Sequence, residues 1–186
     1  MTADALKSAS ITALDTLSVS GTPILENTSG AGAAANMKDI LDFVTPTTGG
    51  LVSTSSKYKM VRLPTSAKLK TLTLKVDGAL DSSTGLALDV GAYYSDSTVD
   101  GTPAASQGTS ISVNCFAAAL TSFRSSAVAD VNALTAFALA KRNKRLWDAL
   151  GLTSDPGGFI DIVVAVQAAA TTAVSSVLGL SATFTH

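Results

Sequence analysis

The sequence predicts an all-β protein, with an antiparallel β-sandwich or jelly-roll-like body, one or two short helices and an extended N-terminal arm. From Gly50 onward, apolar residues recur at every second position, which is the period of a strand with one buried face. The alternating segments are short and turn-forming residues separate them, as in sandwiches and barrels. Residues 1–50 are poor in aromatic residues, so we assign them to an arm and residues 51–186 to the body.

Two elements are predicted within the arm. Leu17 and Val19 alternate with Thr and Ser before Gly21, which indicates a short strand. A short helix is predicted near 37–44, because apolar residues at 37, 40, 41 and 44 form one helical stripe. Asn36 is placed to cap its N-terminus, and Pro46 stops it.

Six segments of the body alternate as strands do. They are residues 56–63, 71–77, 86–94, 110–116, 160–167 and 178–185. Leu69 is out of phase with the second segment, which predicts a bulge or a strand start near Lys70. The second and third segments are separated by turn residues and predict either a hairpin or a β–β corner.

The remaining parts of the body are less regular. Residues 117–140 are compatible with either a helix or a strand. Residues 146–150 predict one or two helical turns closed by Gly151 in the C′ position. The run 155–158, Asp-Pro-Gly-Gly, predicts a turn.

Composition argues against catalysis and against electrostatic binding. Thirteen Lys and Arg against 14 Asp and Glu leave a net charge of −1, so neither a nucleic acid nor a membrane is expected as a partner. The chain has one Glu (Glu26), one His (His186) and one Cys (Cys115), too few for most catalytic or metal-binding constellations. We therefore expect no enzyme activity, no cofactor and no metal.

Cysteine usage and hydropathy bear on the compartment. A lone thiol cannot form a disulfide within its own chain, and the N-terminus lacks the pattern of a secretory signal. No run reaches the roughly 18 apolar residues of a membrane-spanning helix. We expect synthesis in a reducing cytoplasm, with Cys115 as a small buried hydrophobic residue.

Three stretches of the body resemble a group of virion proteins of tailed bacteriophages. They are VRLPTSAKLKTL at 61–72, LDSSTGLALDVGAYY at 80–94 and KRLWDALGLTSDPGG at 144–158, and the likeness extends over roughly residues 58 to 186. The resemblance implies a capsid decoration or cement protein that binds the surface of the phage head. It also implies the major capsid protein as partner. We expect a homo-oligomer, and a trimer is a guess that suits a local threefold axis.

The resemblance leaves the arm as the predicted contact with the shell. Its apolar residues have no evident core of their own and suit the addition of a strand to a foreign sheet edge. The predicted interface residues are Ile11, Leu14, Leu17, Val19, Ile24 and Leu25.

Two other functions stay open. One is a structural component of the tail or neck of the same kind of virion. The other is a carbohydrate-binding module, in which Tyr93 would stack on a sugar. Alternation places Tyr94 on the buried face and Tyr93 outward, so Tyr93 is the residue on which this second alternative depends.

Overall fold

Two β-sheets pack face to face in a computed structural model that describes residues 3–8, 11–12, 37–96, 106–125 and 129–186. The strands within these ranges are β1 (Ala5–Lys7), β2 (Met37–Val44), β3 (Lys57–Pro64), β4 (Lys68–Val76), β5 (Ala87–Tyr94), β6 (Ser110–Leu120), β7 (Ala129–Asn132), β8 (Phe159–Ala168) and β9 (Leu178–Thr185). Two four-residue helices, α1 (Thr48–Leu51) and α2 (Leu146–Ala149), and a 3-10 helix, Leu139–Asn143, connect them.

Most neighbouring strands in the two sheets come from distant parts of the chain, and β5 with β6 is the exception among the described pairs. The five-stranded sheet has the order β1-β3-β8-β5-β6, and the four-stranded sheet has the order β2-β9-β4-β7. All pairs are antiparallel except β1 with β3, which is parallel. The all-β prediction is therefore confirmed, with two sheets forming a sandwich.

Apolar side chains from the facing sides of both sheets form the core. The four-stranded sheet contributes buried Leu and Phe side chains, and the five-stranded sheet contributes Ile, Val and Leu together with Tyr58 and Met60. α2 closes one end: its Leu146 and Ala149 are buried, and the Leu146 N–H donates to the carbonyl of Ala67 at 2.7 Å. The rings of Phe116 and Phe137 meet within the core with their centroids 5.2 Å apart.

The six alternating segments of the body are strands, at β3, β4, β5, β6, β8 and β9. The pairing of β4 with β9 shifts register between Leu69 and Thr71, so the predicted irregularity near Lys70 is a bulge. α2 occupies the predicted helical turns, and Gly151 follows them with φ of +83°. Asp155 accepts a hydrogen bond from the N–H of Gly157 at 2.9 Å, as expected of the predicted turn.

The predicted helix near 37–44 is wrong, because Met37–Val44 is strand β2. β2 pairs with β9 along its whole length, from Met37 opposite Thr185 to Val44 opposite Leu178. An eight-residue helix is only marginally stable alone, whereas the ladder with β9 pairs the backbone of the segment and directs Val44 into the core. The stripe at 37, 40, 41 and 44 has the helical period, but in β2 Met37 and Leu41 lie on the exposed side and Ile40 and Val44 on the other, so the available strand partner overrides the helical pattern.

The boundary predicted at residue 50 also changes. β1 pairs with β3, β2 pairs with β9, and Leu51 of α1 is fully buried, so residues on both sides of position 50 belong to the sandwich. Hydrogen bonds from the N–H and hydroxyl of Thr47 to the Asp4 carboxylate, 2.9 Å each, join the segment before α1 to that before β1. The strand predicted at Leu17 and Val19 lies outside the described residues.

β4 and β5 do not form a hairpin. β4 belongs to the four-stranded sheet and β5 to the five-stranded sheet, so the connection between them crosses from one layer to the other. Within the ambiguous stretch 117–140, β6 continues to Leu120 and β7 adds a short strand against β4. Sequence periodicity did not identify β7, which has only four residues.

Candidate protein–protein interface

The solvent side of the four-stranded sheet, here called the outer face, carries short hydroxyl side chains flanked by apolar and charged ones. Strand pairing places on it Met37, Asp39, Leu41 and Phe43 of β2, Ser181, Thr183 and Thr185 of β9, Lys68, Thr71, Thr73 and Lys75 of β4, and Asp130 and Asn132 of β7. Short side chains lose little conformational entropy when a partner covers them. The composition of this face therefore suits protein contact.

β2 contributes an exposed apolar row to the outer face. Met37 is 71% exposed, and Leu41 and Phe43 are each 48% exposed. We call these three residues the β2 stripe. Phe43 covers Gly179 of the neighbouring strand, where an added Cβ atom would lie 2.8 Å from the ring. Exposed apolar rows with polar surroundings are typical of interaction sites.

Three charged residues of the outer face, Asp39, Lys75 and Asp130, have partners within the chain. Asp39 accepts hydrogen bonds from the hydroxyls of Thr183 at 3.1 Å and Ser181 at 3.4 Å. At the opposite margin, Lys75 and Asp130 form an ion pair at 2.5 Å. A partner that covers the face would meet hydroxyl groups, apolar side chains and a few charges, most of which already have partners.

The sequence analysis missed the β2 stripe as an interface because it assigned the same residues to a helix. The sequence does contain the strand pattern, because Lys38, Ile40, Asp42 and Val44 alternate with Asp39 and the residues of the β2 stripe. Lys38 and Asp42 on the less exposed side obscured it, since buried strand faces are rarely charged.

The solvent side of the five-stranded sheet differs from the outer face, because other segments of the chain cover its charged groups. Arg62 and Asp161 are directly opposite one another on β3 and β8, with side chains 1% and 0% exposed. The Arg62 guanidinium donates to both Asp161 oxygens, at 2.6 and 3.0 Å, and to Asp96 at 3.2 Å. Burial raises the pKa of Asp161, and the two hydrogen bonds from Arg62 oppose that rise.

Asp96 links this pair to the N-terminal strand. Lys7 of β1 and Lys59 of β3 approach its carboxylate at 2.8 and 2.6 Å. Burial raises the pKa of Asp96, but hydrogen bonds and charge from Lys59 and Lys7 outweigh this and lower it to about 2. The network fixes β1 to the sheet and occupies its charged side chains, so this side offers less to a partner than the outer face does.

One end of the sandwich is organised around the buried carboxylate of Asp81. Its two oxygens accept hydrogen bonds from five backbone N–H groups, those of Ser83, Gly85, Leu86, Thr171 and Thr172, at 2.9 to 3.2 Å. Burial by itself raises the pKa of Asp81, but the backbone hydrogen bonds outweigh that effect and lower the pKa to about 2. Asp81 is therefore a structural anion that joins two loops, without remaining capacity for a ligand.

The structure describes one of the six residues predicted to contact a partner. Ile11 is fully buried, and the N–H of Thr12 beside it donates to the Ser8 carbonyl at 2.9 Å. The other five predicted contacts, Leu14, Leu17, Val19, Ile24 and Leu25, lie outside the described residues. Their role as an interface stays a prediction.

Tyr93 is not an outward platform for a sugar. Its side chain points to the side opposite the core, as predicted, but it is only 2% exposed, and Lys57 Nζ lies 5.0 Å from its ring centroid. β6 also covers this part of the sheet: a Cβ atom on Gly91 would lie 2.3 Å from the carbonyl oxygen of Val113. The expected exposure of Tyr93 was wrong because β5 is buried on both faces.

Cys115 is half-buried, and burial raises its pKa to about 11, so the thiol is protonated at neutral pH. No group of three or more His, Cys, Asp or Glu side chains within the described ranges is arranged to hold a metal ion. In the same part of the chain, no helix has the length and apolar character to cross a membrane.

The described strands thus define an all-β sandwich with one open, weakly charged face, and the same fold occurs in a phage capsid. A chain in the structure "Capsid of Ralstonia phage GP4" aligns with a TM-score of 0.56 and 18% identity, over 87% of this chain and 91% of that one. A chain in the structure "Cyanophage Pam1 capsid asymmetric unit" aligns with a TM-score of 0.48 and 18% identity, over 86% and 91%. The sequence matches no protein-family model and no curated protein.

Proposed function

We propose that this protein is a structural component of a bacteriophage capsid, of the decoration or cement type. It binds the outer surface of the assembled head, with the major capsid protein as its partner, and has no catalytic role. The β2 stripe beside the hydroxyl-rich outer face carries the proposal, because it is an exposed contact surface on a fold that a chain of the GP4 capsid shares.

The physical basis is preferential binding to the assembled shell. A protein that binds the shell and not its free subunits stabilises the shell by mass action, about 2.7 kcal/mol per site at a hundredfold excess over the dissociation constant. Covering Met37, Leu41 and Phe43 removes apolar surface from water, at about 25 cal/mol per Å². The hydroxyl groups add hydrogen bonds and orientation.

Co-sedimentation with purified heads tests the proposal. Wild-type protein is expected to sediment with expanded heads and not with precursor shells, and Met37→Ser combined with Leu41→Ser is expected to reduce occupancy at least tenfold. Val113→Ser is the matched control, because Val113 is 45% exposed and lies on β6 of the five-stranded sheet. Equal occupancy for wild type and the double variant would contradict the assignment of the outer face as the docking surface.

The predicted arm contacts are tested separately. Leu14, Leu17, Val19, Ile24 and Leu25 are replaced together by Ser, with Ile11 retained because it is buried. Reduced binding with unchanged circular dichroism would support the arm as a second contact, whereas unchanged binding would exclude it.

Labelled particles distinguish the head from the tail and neck. Under the proposal, gold particles directed to this protein decorate the head in electron micrographs. Label confined to the tail or neck would favour the other virion role. The carbohydrate alternative is not carried forward, because the Tyr93 ring on which it depended is buried.

A further inference from the structure

We infer that the protein has a further docking surface, which binds an acidic segment of a partner protein with an aliphatic side chain among its carboxylates. The surface, here called the basic patch, consists of four exposed residues around the 3-10 helix: Leu139, Lys141, Lys144 and Arg145. The inference goes beyond the proposed function, because it concerns residues outside the outer face and does not require a phage head.

Positive charge is concentrated around the basic patch. Residues 141–145 are Lys-Arg-Asn-Lys-Arg, and no Asp or Glu occurs between Asp130 and Asp148. Lys70 adds a fifth cation, because its Nζ donates to the Asn143 side chain at 3.0 Å. These five cations and Asp148 together carry +4, so the rest of a chain whose net charge is −1 carries −5. Such an uneven distribution attracts and orients an acidic partner.

The contacts within the chain neutralise little of this charge. Lys144 and Asp148 form an ion pair at 3.2 Å, but their side chains are 52% and 43% exposed, and exposed pairs of this kind are weak. Lys141 Nζ lies 5.9 Å from the ring centroid of Phe137. Within the described ranges, neither Lys141 nor Arg145 forms an ion pair. Both cations are therefore available to carboxylates of a partner.

Leu139 gives the basic patch an apolar component. Its side chain is 76% exposed, more than that of any other large hydrophobic residue in the described part of the chain. A partner that covers this side chain removes apolar surface from water, and protein interfaces commonly combine an apolar centre with a polar rim. The partner segment is therefore expected to present an aliphatic side chain as well as carboxylates.

The backbone that carries the basic patch is fixed to both sheets. The N–H of Ala133 donates to the Leu72 carbonyl of β4 at 2.8 Å, and the N–H of Ala136 donates to the Phe116 carbonyl of β6 at 2.9 Å. On the other side of the patch, α2 has two side chains buried in the core. A surface that is already ordered loses little backbone entropy when a partner binds.

The side chains favour an acidic protein segment over a nucleic acid. Proteins that bind single-stranded nucleic acid stack aromatic rings on the bases, but Phe137 is buried and Trp147 is only partly exposed. Duplex binding requires cations that follow the phosphate backbone, whereas the cations here are confined to one short segment and Lys70. Carboxylates form charge-assisted hydrogen bonds with Lys and Arg, and an aliphatic side chain between them covers Leu139.

Fluorescence anisotropy with a labelled peptide tests the inference on the full chain. The peptide alternates Glu and Asp around one central Leu. Lys141→Glu combined with Arg145→Glu is expected to raise the Kd of this peptide roughly tenfold and to reduce the dependence of the Kd on salt concentration. Lys57→Glu combined with Lys75→Glu is the matched control, because it changes the net charge equally on β3 and at the far end of β4.

A second variant tests the apolar component. Leu139→Ser is expected to raise the Kd of the same peptide roughly fivefold without changing its salt dependence. A peptide with Ser in place of the central Leu is expected to bind wild type and Leu139→Ser equally. Equal weakening of both peptides by Leu139→Ser would contradict a direct contact between the two leucine side chains.

The remaining outcomes separate the partner classes. Absence of saturable binding of the leucine peptide, or equal losses in the two double variants, overturns the basic patch as a docking surface. Tighter binding of an oligothymidylate than of the leucine peptide at the same salt concentration overturns the assignment to a protein partner. Thermal unfolding verifies that each variant is folded. None of these measurements uses phage heads, so failure of this inference and failure of the proposed function are separately visible.

Discussion

At the residue scale, buried charges that are satisfied by the backbone or by one another hold the loops and strands together. Asp81 accepts five N–H groups from two loops that are about 90 residues apart in sequence, which fixes the end of the sandwich. Its sequence context, Asp81 followed by Ser, Ser, Thr and Gly, predicted only a turn. The second loop that it binds has no local signal, so its full role was not predictable.

Replacing Asp81 is expected to be strongly destabilising. Asp81→Ala leaves five N–H groups without their acceptor and is expected to lower the free energy of unfolding by about 3 kcal/mol or more. Asp155→Ala, which removes one exposed hydrogen bond to Gly157, is expected to cost less than about 1 kcal/mol. Urea unfolding monitored by Trp147 fluorescence measures both, and equal losses would contradict the assigned role.

The same carboxylate predicts a pH dependence. The pKa of Asp81 is about 2 in the folded protein, below its ordinary value of 3.8, so its stabilisation is complete above about pH 4 and is lost as the pH falls towards 2. Asp96 titrates in the same window, so the difference between wild type and Asp81→Asn isolates the contribution of Asp81. That difference is expected to shrink between pH 4 and pH 2.

At the element scale, the sequence predicted strands where one face is consistently apolar and failed where both faces are mixed. β3, β4, β5, β8 and β9 have apolar residues at every second position, and their existence followed from that pattern alone. β2 was assigned to a helix because its apolar residues at 37, 40, 41 and 44 follow the helical period, and its partner β9 is about 140 residues away. The burial of Tyr93 depends on β6 and Lys57, which periodicity within β5 cannot reveal.

The pairing of β3 with β8 makes a prediction about the buried ion pair. Arg62→Ala leaves the Asp161 carboxylate buried without its main partner and is expected to cost about 3–5 kcal/mol. Arg62→Met combined with Asp161→Leu is expected to recover most of this loss, because no charge remains to be desolvated. Lys144→Ala, which removes the exposed pair with Asp148, is the control and is expected to change stability by less than about 0.5 kcal/mol.

Equilibrium unfolding in guanidinium chloride separates these expectations. If the double variant is no more stable than Arg62→Ala, the pair contributes specific geometry that apolar packing does not replace. A single variant as stable as wild type would contradict the assignment of Arg62 and Asp161 as a buried pair.

At the scale of the whole molecule, the two-sheet class was predictable, but the arrangement of the strands was not. Six strands with short connections predict a sandwich, whereas the position of β8 between β3 and β5 depends on contacts across about 100 residues. The interface was not predictable for the same reason: the outer face is assembled from four separated segments. β1 and β2 were assigned to an arm because residues 1–50 are poor in aromatic residues, and the strands that pair with them, β3 and β9, are distant in sequence.

Removing residues 1–50 tests how far that segment belongs to the body. The deletion takes β1 from one sheet and β2 from the other, and it exposes β9 as a new edge. We expect the remaining chain to lack a cooperative thermal transition and to bind a hydrophobic dye, because native stability is only about 5–15 kcal/mol. A cooperative transition at the wild-type temperature would instead show that residues 1–50 are dispensable to the sandwich.

The central positions of β8 and β9 have a consequence for protein synthesis. A ribosome makes these two strands after the other described strands, yet β8 separates β3 from β5 and β9 separates β2 from β4. A nascent chain that lacks β8 and β9 cannot complete either sheet, so the edges of the strands made earlier stay unpaired. Each sheet is therefore completed only after β8 and β9 have been made, and a product truncated before β8 has neither native sheet.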